Sequence, residues 1–295
     1  MDALRVTLER ADARGVAVGH FNISDLATFN GVLAAARDLD VPVMVGVSEG
    51  ERDFVGVQEI AALVRSVRDR GAAVFLNADH THALAKAEEA ARAGFDEIVF
   101  DASDRPFDDN VRQTRQAVTA VKSINPAILV EGEIGYIGSS SSIHEHAPEH
   151  AYALSTPVEA RQFVEATGVD VLAPSVGNMH GLLREMVEHG ATKRLDLERI
   201  GAIKEATGMF LTLHGGSGTH AEDLQRAVAA GITIVHINTE LRVAWRRGLE
   251  SALAAQPQEV VPYKLLPPVV DAVRAVARAR LQLLNSPPGS AVTTS

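Results

Sequence analysis

The sequence predicts an α/β fold, a (β/α)8 TIM barrel with a C-terminal helical extension, and three observations predict it. One phrase recurs along the chain: an amphipathic segment, a glycine, then a short apolar run. Val67-Arg-Asp-Arg-Gly71-Ala-Ala-Val-Phe-Leu and Glu205-Ala-Thr-Gly208-Met-Phe-Leu-Thr-Leu are two instances. Each such glycine stands where a helix ends in the left-handed conformation and the chain turns into a strand. Second, eight apolar runs of strand length alternate with helical stretches, the rhythm of a closed parallel barrel. Third, the polar residues gather where the apolar runs end, which in such a barrel is the catalytic face. An open doubly wound sheet is the structural alternative, because the number of strands does not establish closure.

In chain order, strands are expected at residues 16–22, 41–48, 73–80, 97–103, 127–135, 170–178, 209–216 and 233–239. Helices are expected between them at 26–38, 58–70, 83–93, 110–123, 158–167, 197–206 and 221–230. Thr156-Pro157-Val-Glu159 marks one helix start, with a capping threonine, a proline at the first helical position and a nearby glutamate. Residues 138–150 break the rhythm. They are polar, serine-rich and long for a strand-to-helix loop, which suggests a mobile lid. Beyond the eighth strand, 241–255 and 268–284 read as helices, the second a candidate packing arm to another subunit in a homodimer or homotetramer. Residues 1–285 are expected to form one domain and 286–295, small and polar, a frayed tail.

Composition narrows the chemistry. A chain of 295 residues, 46% of them hydrophobic, can bury a full core. With no cysteine, disulfides, thiolate metal sites and cysteine nucleophiles are excluded, so any metal is held by imidazole and oxygen. A net charge of −10 argues against a nucleic-acid surface. The N-terminus lacks the cationic and long apolar regions of a secretion signal, and no apolar run reaches membrane-spanning length. A cytoplasmic protein is expected.

Three of the strand ends carry histidine: Phe75-Leu-Asn-Ala-Asp79-His80, Val171-Leu-Ala-Pro-Ser-Val-Gly-Asn-Met-His180 and Met209-Phe-Leu-Thr-Leu-His214. If the barrel closes, all three face one mouth, and three neutral imidazoles with an open position are a catalytic zinc arrangement. Asp79 would sit beside the metal as a proton carrier. Glu131 and Glu133, two apart on the fifth strand, point the same way and are expected to enter the barrel mouth. Gly215-Gly-Ser217-Gly218 and Asn238-Thr239 suit an anion: glycines let backbone N–H groups approach phosphate oxygens, and loops after the last two strands commonly hold phosphate. His20 and His236, each two residues before a strand-end asparagine (Asn22 and Asn238), are expected to meet inside the barrel beneath the site. They would either satisfy each other's ring nitrogens or reshape the pocket.

These residues resemble the class II, metal-dependent ketose-bisphosphate aldolases, the family of fructose- and tagatose-bisphosphate aldolases, over nearly the whole chain. The carriers are Phe21-Asn22-Ile, Val47-Ser48-Glu-Gly50, Ala78-Asp79-His80, Val130-Glu131-Gly-Glu133-Ile-Gly135, Val176-Gly177-Asn-Met-His180-Gly181 and Leu213-His214-Gly-Gly-Ser217. The resemblance implies a divalent metal, zinc before others, on His80, His180 and His214, with Asp79 as proton donor to the aldehyde oxygen. It implies substrate and phosphate contacts from Asn22, Ser48, Gly181, Gly215, Ser217, Asn238 and Thr239, a monovalent cation near the phosphate, and a polar role for Glu133 near the metal. The expected reaction is reversible cleavage of a phosphorylated ketose to dihydroxyacetone phosphate and an aldehyde through a metal-stabilised enediolate. The carbon base expected from the family falls on Glu145 of the 138–150 loop, with Glu149 next. A metal-dependent phosphosugar isomerase or epimerase, and a non-catalytic sugar-phosphate-binding barrel, are the competing readings.

Overall fold

The computed structural model describes residues 3–138, 141–145 and 154–286. Eight parallel strands close into a barrel, which excludes the open sheet. We number them β1 (Val18–Asn22), β2 (Val43–Val47), β3 (Val74–Thr81), β4 (Glu97–Phe100), β5 (Leu129–Ile134), β6 (Val171–Pro174), β7 (Phe210–Leu213) and β8 (Ile232–Ile237). β8 pairs with β1, with His20 opposite His236 in the register. All eight lie within or beside the expected ranges, and the expected helices are present at Leu26–Leu39, Val57–Arg68, Leu84–Ala93, Phe107–Ile124, Pro157–Thr167, Leu197–Thr207 and Ala221–Ala229. The helix at Pro157 opens with the expected cap: Glu159 N donates to Thr156 Oγ1 at 3.2 Å while Thr156 N donates to the Glu159 carboxylate at 2.9 Å.

Alternation along the strands sorts the barrel interior into layers. At the floor, Val18, Met44, Phe75, Leu129, Val171 and Ile234 form one apolar cluster with Leu4, Leu8 and Ala11. Those last three belong to a helix, Leu4–Arg14, that the sequence reading left unassigned and that closes the bottom of the barrel. Truncating Leu8, fully buried there, would cost about 2–5 kcal/mol. Above the floor the interior turns polar. Asn77 Nδ2 donates to Glu97 at 2.7 Å and Thr212 Oγ1 to Glu131 at 2.6 Å, while Asn77 Oδ1 and Glu97 Oε1 are left without partners.

The C-terminal helices lie at Thr239–Ala255 and Pro267–Leu284. The second was a candidate arm toward another subunit, but one side of it is committed to its own chain: Val269, Val273, Ala277, Leu281 and Leu284 are buried. The helix packs on Leu26–Leu39 and on Thr239–Ala255. Gly31 is required at that crossing, since a Cβ there would stand 2.8 Å from the Val270 carbonyl oxygen. Of the tail, residues 287–295 lie outside the described residues.

Candidate active site

The strand-end histidines converge. His80 Nε2 lies 3.1 Å from His180 Nε2 and 3.1 Å from His214 Nδ1. The remaining nitrogen of each ring is held from behind: His80 Nδ1 by Asp101 Oδ2 at 2.8 Å, His180 Nδ1 by the Gly138 carbonyl at 2.6 Å, and His214 Nε2 by Glu131 Oε1 at 2.5 Å. The Gly138 carbonyl and the ionised Asp101 only accept, so the outer nitrogens of His180 and His80 carry protons and aim the inner nitrogens at the centre; Glu131 holds the outer nitrogen of His214 in the same way. Lone pairs of three imidazoles within 4.8 Å of one another repel unless a cation sits among them, and a carbonyl or carboxylate behind each ring is the usual support of a metal-binding histidine. The donor set therefore fits a divalent metal.

The electrostatics agree. Burial, then His80, lowers the pKa of His180 and of His214 to about 3, which keeps both neutral. His80 moves the other way, to about 10: burial opposes its charge, but Asp79 and then Asp101 outweigh it. The carboxylates around His80 thus favour positive charge at this centre. Burial raises Glu131 to about 8 and Glu133 well above the ordinary range.

Backbone geometry explains why both Asp79 and His80 serve one site. Alternation alone would send neighbouring side chains to opposite faces of β3. His80 instead adopts a left-handed conformation, φ +38°, where the register between β3 and β4 shifts. Such a residue costs about 1–3 kcal/mol and clusters at functional sites. Asp79 is buried, accepts from Asn22 Nδ2 at 2.8 Å, and has its Oδ1 3.4 Å from His236 Nδ1. Its pKa falls well below the usual value: burial opposes ionisation, but His80 and then His236 more than offset it.

Most of the expected binding residues line one chamber with His80 and His180 of the triad. Asn22, Asp79, His80, His180, Gly181, Gly215, Ser217, His236, Asn238 and Thr239 all border it, together with Ser141. Gly181 and Gly215 have positive φ, and a Cβ on Gly215 would stand 2.2 Å from the Met179 carbonyl oxygen. Ser217 Oγ accepts from the Asn238 backbone N–H at 3.1 Å, which ties the loops after β7 and β8 together. Ser48 is set apart from these loops. Its hydroxyl caps the helix Glu49–Val55, and it borders an adjoining cleft with Asp101 and Arg242. Glu133 is buried beside the triad, Oε2 3.4 Å from His214 Nδ1, and accepts from Ser103.

Three features sit differently from the simplest expectation. His20 and His236 meet as expected but do not satisfy each other's nitrogens: the rings stack, and both His20 nitrogens and His236 Nε2 lack hydrogen-bond partners. Glu145 is exposed at the rim, bonded to Arg184 at 2.5–3.0 Å, and is not among the chamber's lining residues. The loop at 138–150 is pinned where it is described, because Ile143–His144 pairs with Leu182–Leu183 in a small sheet that strand patterning did not predict. Glu149 and the rest of that loop lie outside the described residues.

The sequence reading also missed functional residues. Asp101 follows β4 as Asp79 ends β3, so the same strand-end signal was there to be used. Lys193 gave none: it lies in a connection outside the strand–helix rhythm, yet it is buried and its ammonium donates to the carbonyls of Met179, Gly181 and Gly215.

A closed parallel barrel with a three-imidazole centre at its C-terminal mouth, an ionised aspartate beside it and glycine loops at its rim defines a (β/α)8 barrel whose mouth fits a divalent metal. The chain belongs to the class-II fructose-bisphosphate aldolase family, whose model, "Fructose-bisphosphate aldolase class-II", matches residues 2–288. It is 31% identical over 274 residues to the fructose-bisphosphate aldolase of Geobacillus stearothermophilus, covering 92% of each chain. It is 29% identical to a probable fructose-bisphosphate aldolase of Bacillus subtilis (strain 168), covering 95% of each. The crystal structure of the YdjI aldolase from Escherichia coli K12 superposes with a TM-score of 0.78, at 26% identity over 98% of each chain. Membership makes the protein a metal-dependent carbon–carbon lyase. Among the described residues no helix is long and apolar enough to cross a membrane.

Proposed function

We propose that this protein reversibly cleaves a phosphorylated ketose of the fructose-bisphosphate kind to dihydroxyacetone phosphate and an aldehyde, with zinc as its metal. The observation that carries the reading is the convergence of His80 Nε2, His180 Nε2 and His214 Nδ1 beside Asp79 and the glycine loops. Bound there, a divalent ion supplies positive charge toward the substrate's carbonyl and hydroxyl oxygens. The chain's own residues do the rest. Asn22 orients Asp79, which exchanges the proton of the alcohol at the breaking bond. Backbone N–H groups at Gly181, Gly215 and Ser217, with the Thr239 hydroxyl, hold the phosphate of the ketone fragment. Glu145, once released from Arg184, handles the proton on the ketone carbon. The protein is proposed to act as a homodimer or homotetramer.

A screen of fructose and tagatose bisphosphates and related sugar phosphates, read by release of dihydroxyacetone phosphate with and without a chelator, tests this reading. Release that the chelator abolishes supports it. Interconversion of the sugars with no triose release would assign the site to isomerisation or epimerisation instead.

A further inference from the structure

Lys193 is 5% exposed and reaches back from the connection between helices Arg184–His189 and Leu197–Thr207. Its Nζ lies 2.7 Å from the Met179 carbonyl oxygen, 2.7 Å from that of Gly181 and 2.9 Å from that of Gly215. An ammonium has three donors and no acceptor, so the three carbonyls use it fully. Two of them flank the metal ligand His180 and the third follows the metal ligand His214. The main chain of Lys193 is tied as well: its N–H donates to the Gly218 carbonyl at 2.8 Å, and its carbonyl accepts from His220 N–H at 3.1 Å. Burial draws the Lys193 pKa down to about 7, against the pull of Glu240, so the three carbonyls are what hold the amine in place. Glu240 is paired with Arg280 at 2.5–2.7 Å and accepts from Gly218 N–H at 2.6 Å.

Rings of backbone carbonyls are how proteins hold potassium and related ions. Here a carbonyl ring directly behind the phosphate loops is filled by a side chain of the same protein. We infer that Lys193 is a tethered monovalent cation. Its ammonium locks the loops after β6 and β7 in the arrangement that aims His180 and the amides of Gly181 and Gly215 at one place, and it replaces the free cation expected near the phosphate. Lys193 is a positioning residue. As regards catalysis the inference rests on the proposed aldolase reading. As regards the loops it rests on geometry alone.

The test compares metal-loaded wild type with Lys193→Ala, which opens room for an ion, in buffers whose only monovalent cation is tetramethylammonium, potassium or ammonium. Thermal unfolding is read first because it needs no substrate. The wild-type Tm should be the same in all three buffers. Lys193→Ala should melt lower in tetramethylammonium and regain much of the loss in potassium or ammonium, with its bound zinc retained. On the phosphorylated ketose that the wild type cleaves, kcat/KM of the variant should fall about tenfold or more in tetramethylammonium, chiefly through KM, and recover severalfold with ammonium. A wild type that responds to potassium or ammonium overturns the inference, as does a folded variant whose Tm and KM equal those of wild type or respond to no cation. If Lys193→Ala does not fold, Lys193→Met takes its place for the comparison in tetramethylammonium, and the wild-type cation response decides. If the wild type cleaves no sugar phosphate, the aldolase reading fails while the Tm comparison still judges Lys193.

Discussion

His20 stacks face to face on His236, with ring centroids 3.5 Å apart and planes 6° from parallel. The stack continues onto the metal ligand His214, whose ring lies 4.1 Å from that of His236. His20 fits only because its ring lies over Gly46 of β2, where a Cβ would stand 2.1 Å from His20 Cε1. His236 thus borders the chamber with His20 stacked behind it, and the unpartnered nitrogens make the pair expensive to keep. We predict that it shapes substrate choice. The double variant His20→Ala with His236→Asn should change the ratio of kcat/KM between sugar phosphates by about tenfold, the scale of one altered pocket contact. An unchanged preference order with lower stability would make the pair purely structural.

The same burial predicts a pH dependence. Burial, then His236, lowers the pKa of His20 to about 3. Its ordinary value is 6.5, so between pH 6.5 and 3 the unfolded chain binds a proton that the folded chain refuses. The stability that depends on neutral His20 is present above pH 6.5 and is lost as pH falls below it. In urea unfolding of metal-free protein at pH 7, 6 and 5, His20→Ala should reduce the pH slope by up to about 1.4 kcal/mol per unit. Parallel slopes for wild type and variant would refute the assignment of a neutral buried imidazole.

Asp101 holds His80 Nδ1 and so aims Nε2 at the centre. Asp101→Ala should weaken zinc affinity about 10–100-fold in competition with a chromophoric chelator, the usual cost of losing such a support. Affinity equal to wild type would show that the left-handed backbone at His80 orients the ring unaided.

Two proton transfers should separate by mutation. Asp79→Ala should retain zinc and lose cleavage about 100-fold or more, while Glu145→Gln should slow exchange of the ketone-fragment proton with solvent deuterium and leave binding intact. Near-normal turnover in the first variant, or unchanged exchange in the second, would reassign that step.

What the sequence showed depended on whether a residue's job followed from strand periodicity. The barrel, the three histidines, Asp79 and the glycine loops were legible because each sits at the end of an apolar run, where chain direction alone delivers it to one mouth. The meeting of His20 and His236 followed from register, but their stacking did not, because ring orientation is decided by the space over Gly46. The pairing of Glu145 with Arg184 and the placement of Lys193 on three carbonyls join segments far apart in the chain through irregular connections. No local pattern encodes those contacts. The helix Leu4–Arg14 did carry a signal, Leu4, Leu8 and Ala11 at helical spacing, that was not used.

The central claim is that the imidazoles of His80, His180 and His214 hold one divalent ion that aldol cleavage requires. Titrating zinc into chelator-stripped protein while following release of dihydroxyacetone phosphate tests it most directly. The account predicts no cleavage without metal, a linear rise to one zinc per chain and a plateau beyond it, with His180→Ala flat throughout. Cleavage by the stripped protein, or full cleavage and zinc binding by His180→Ala, would contradict it.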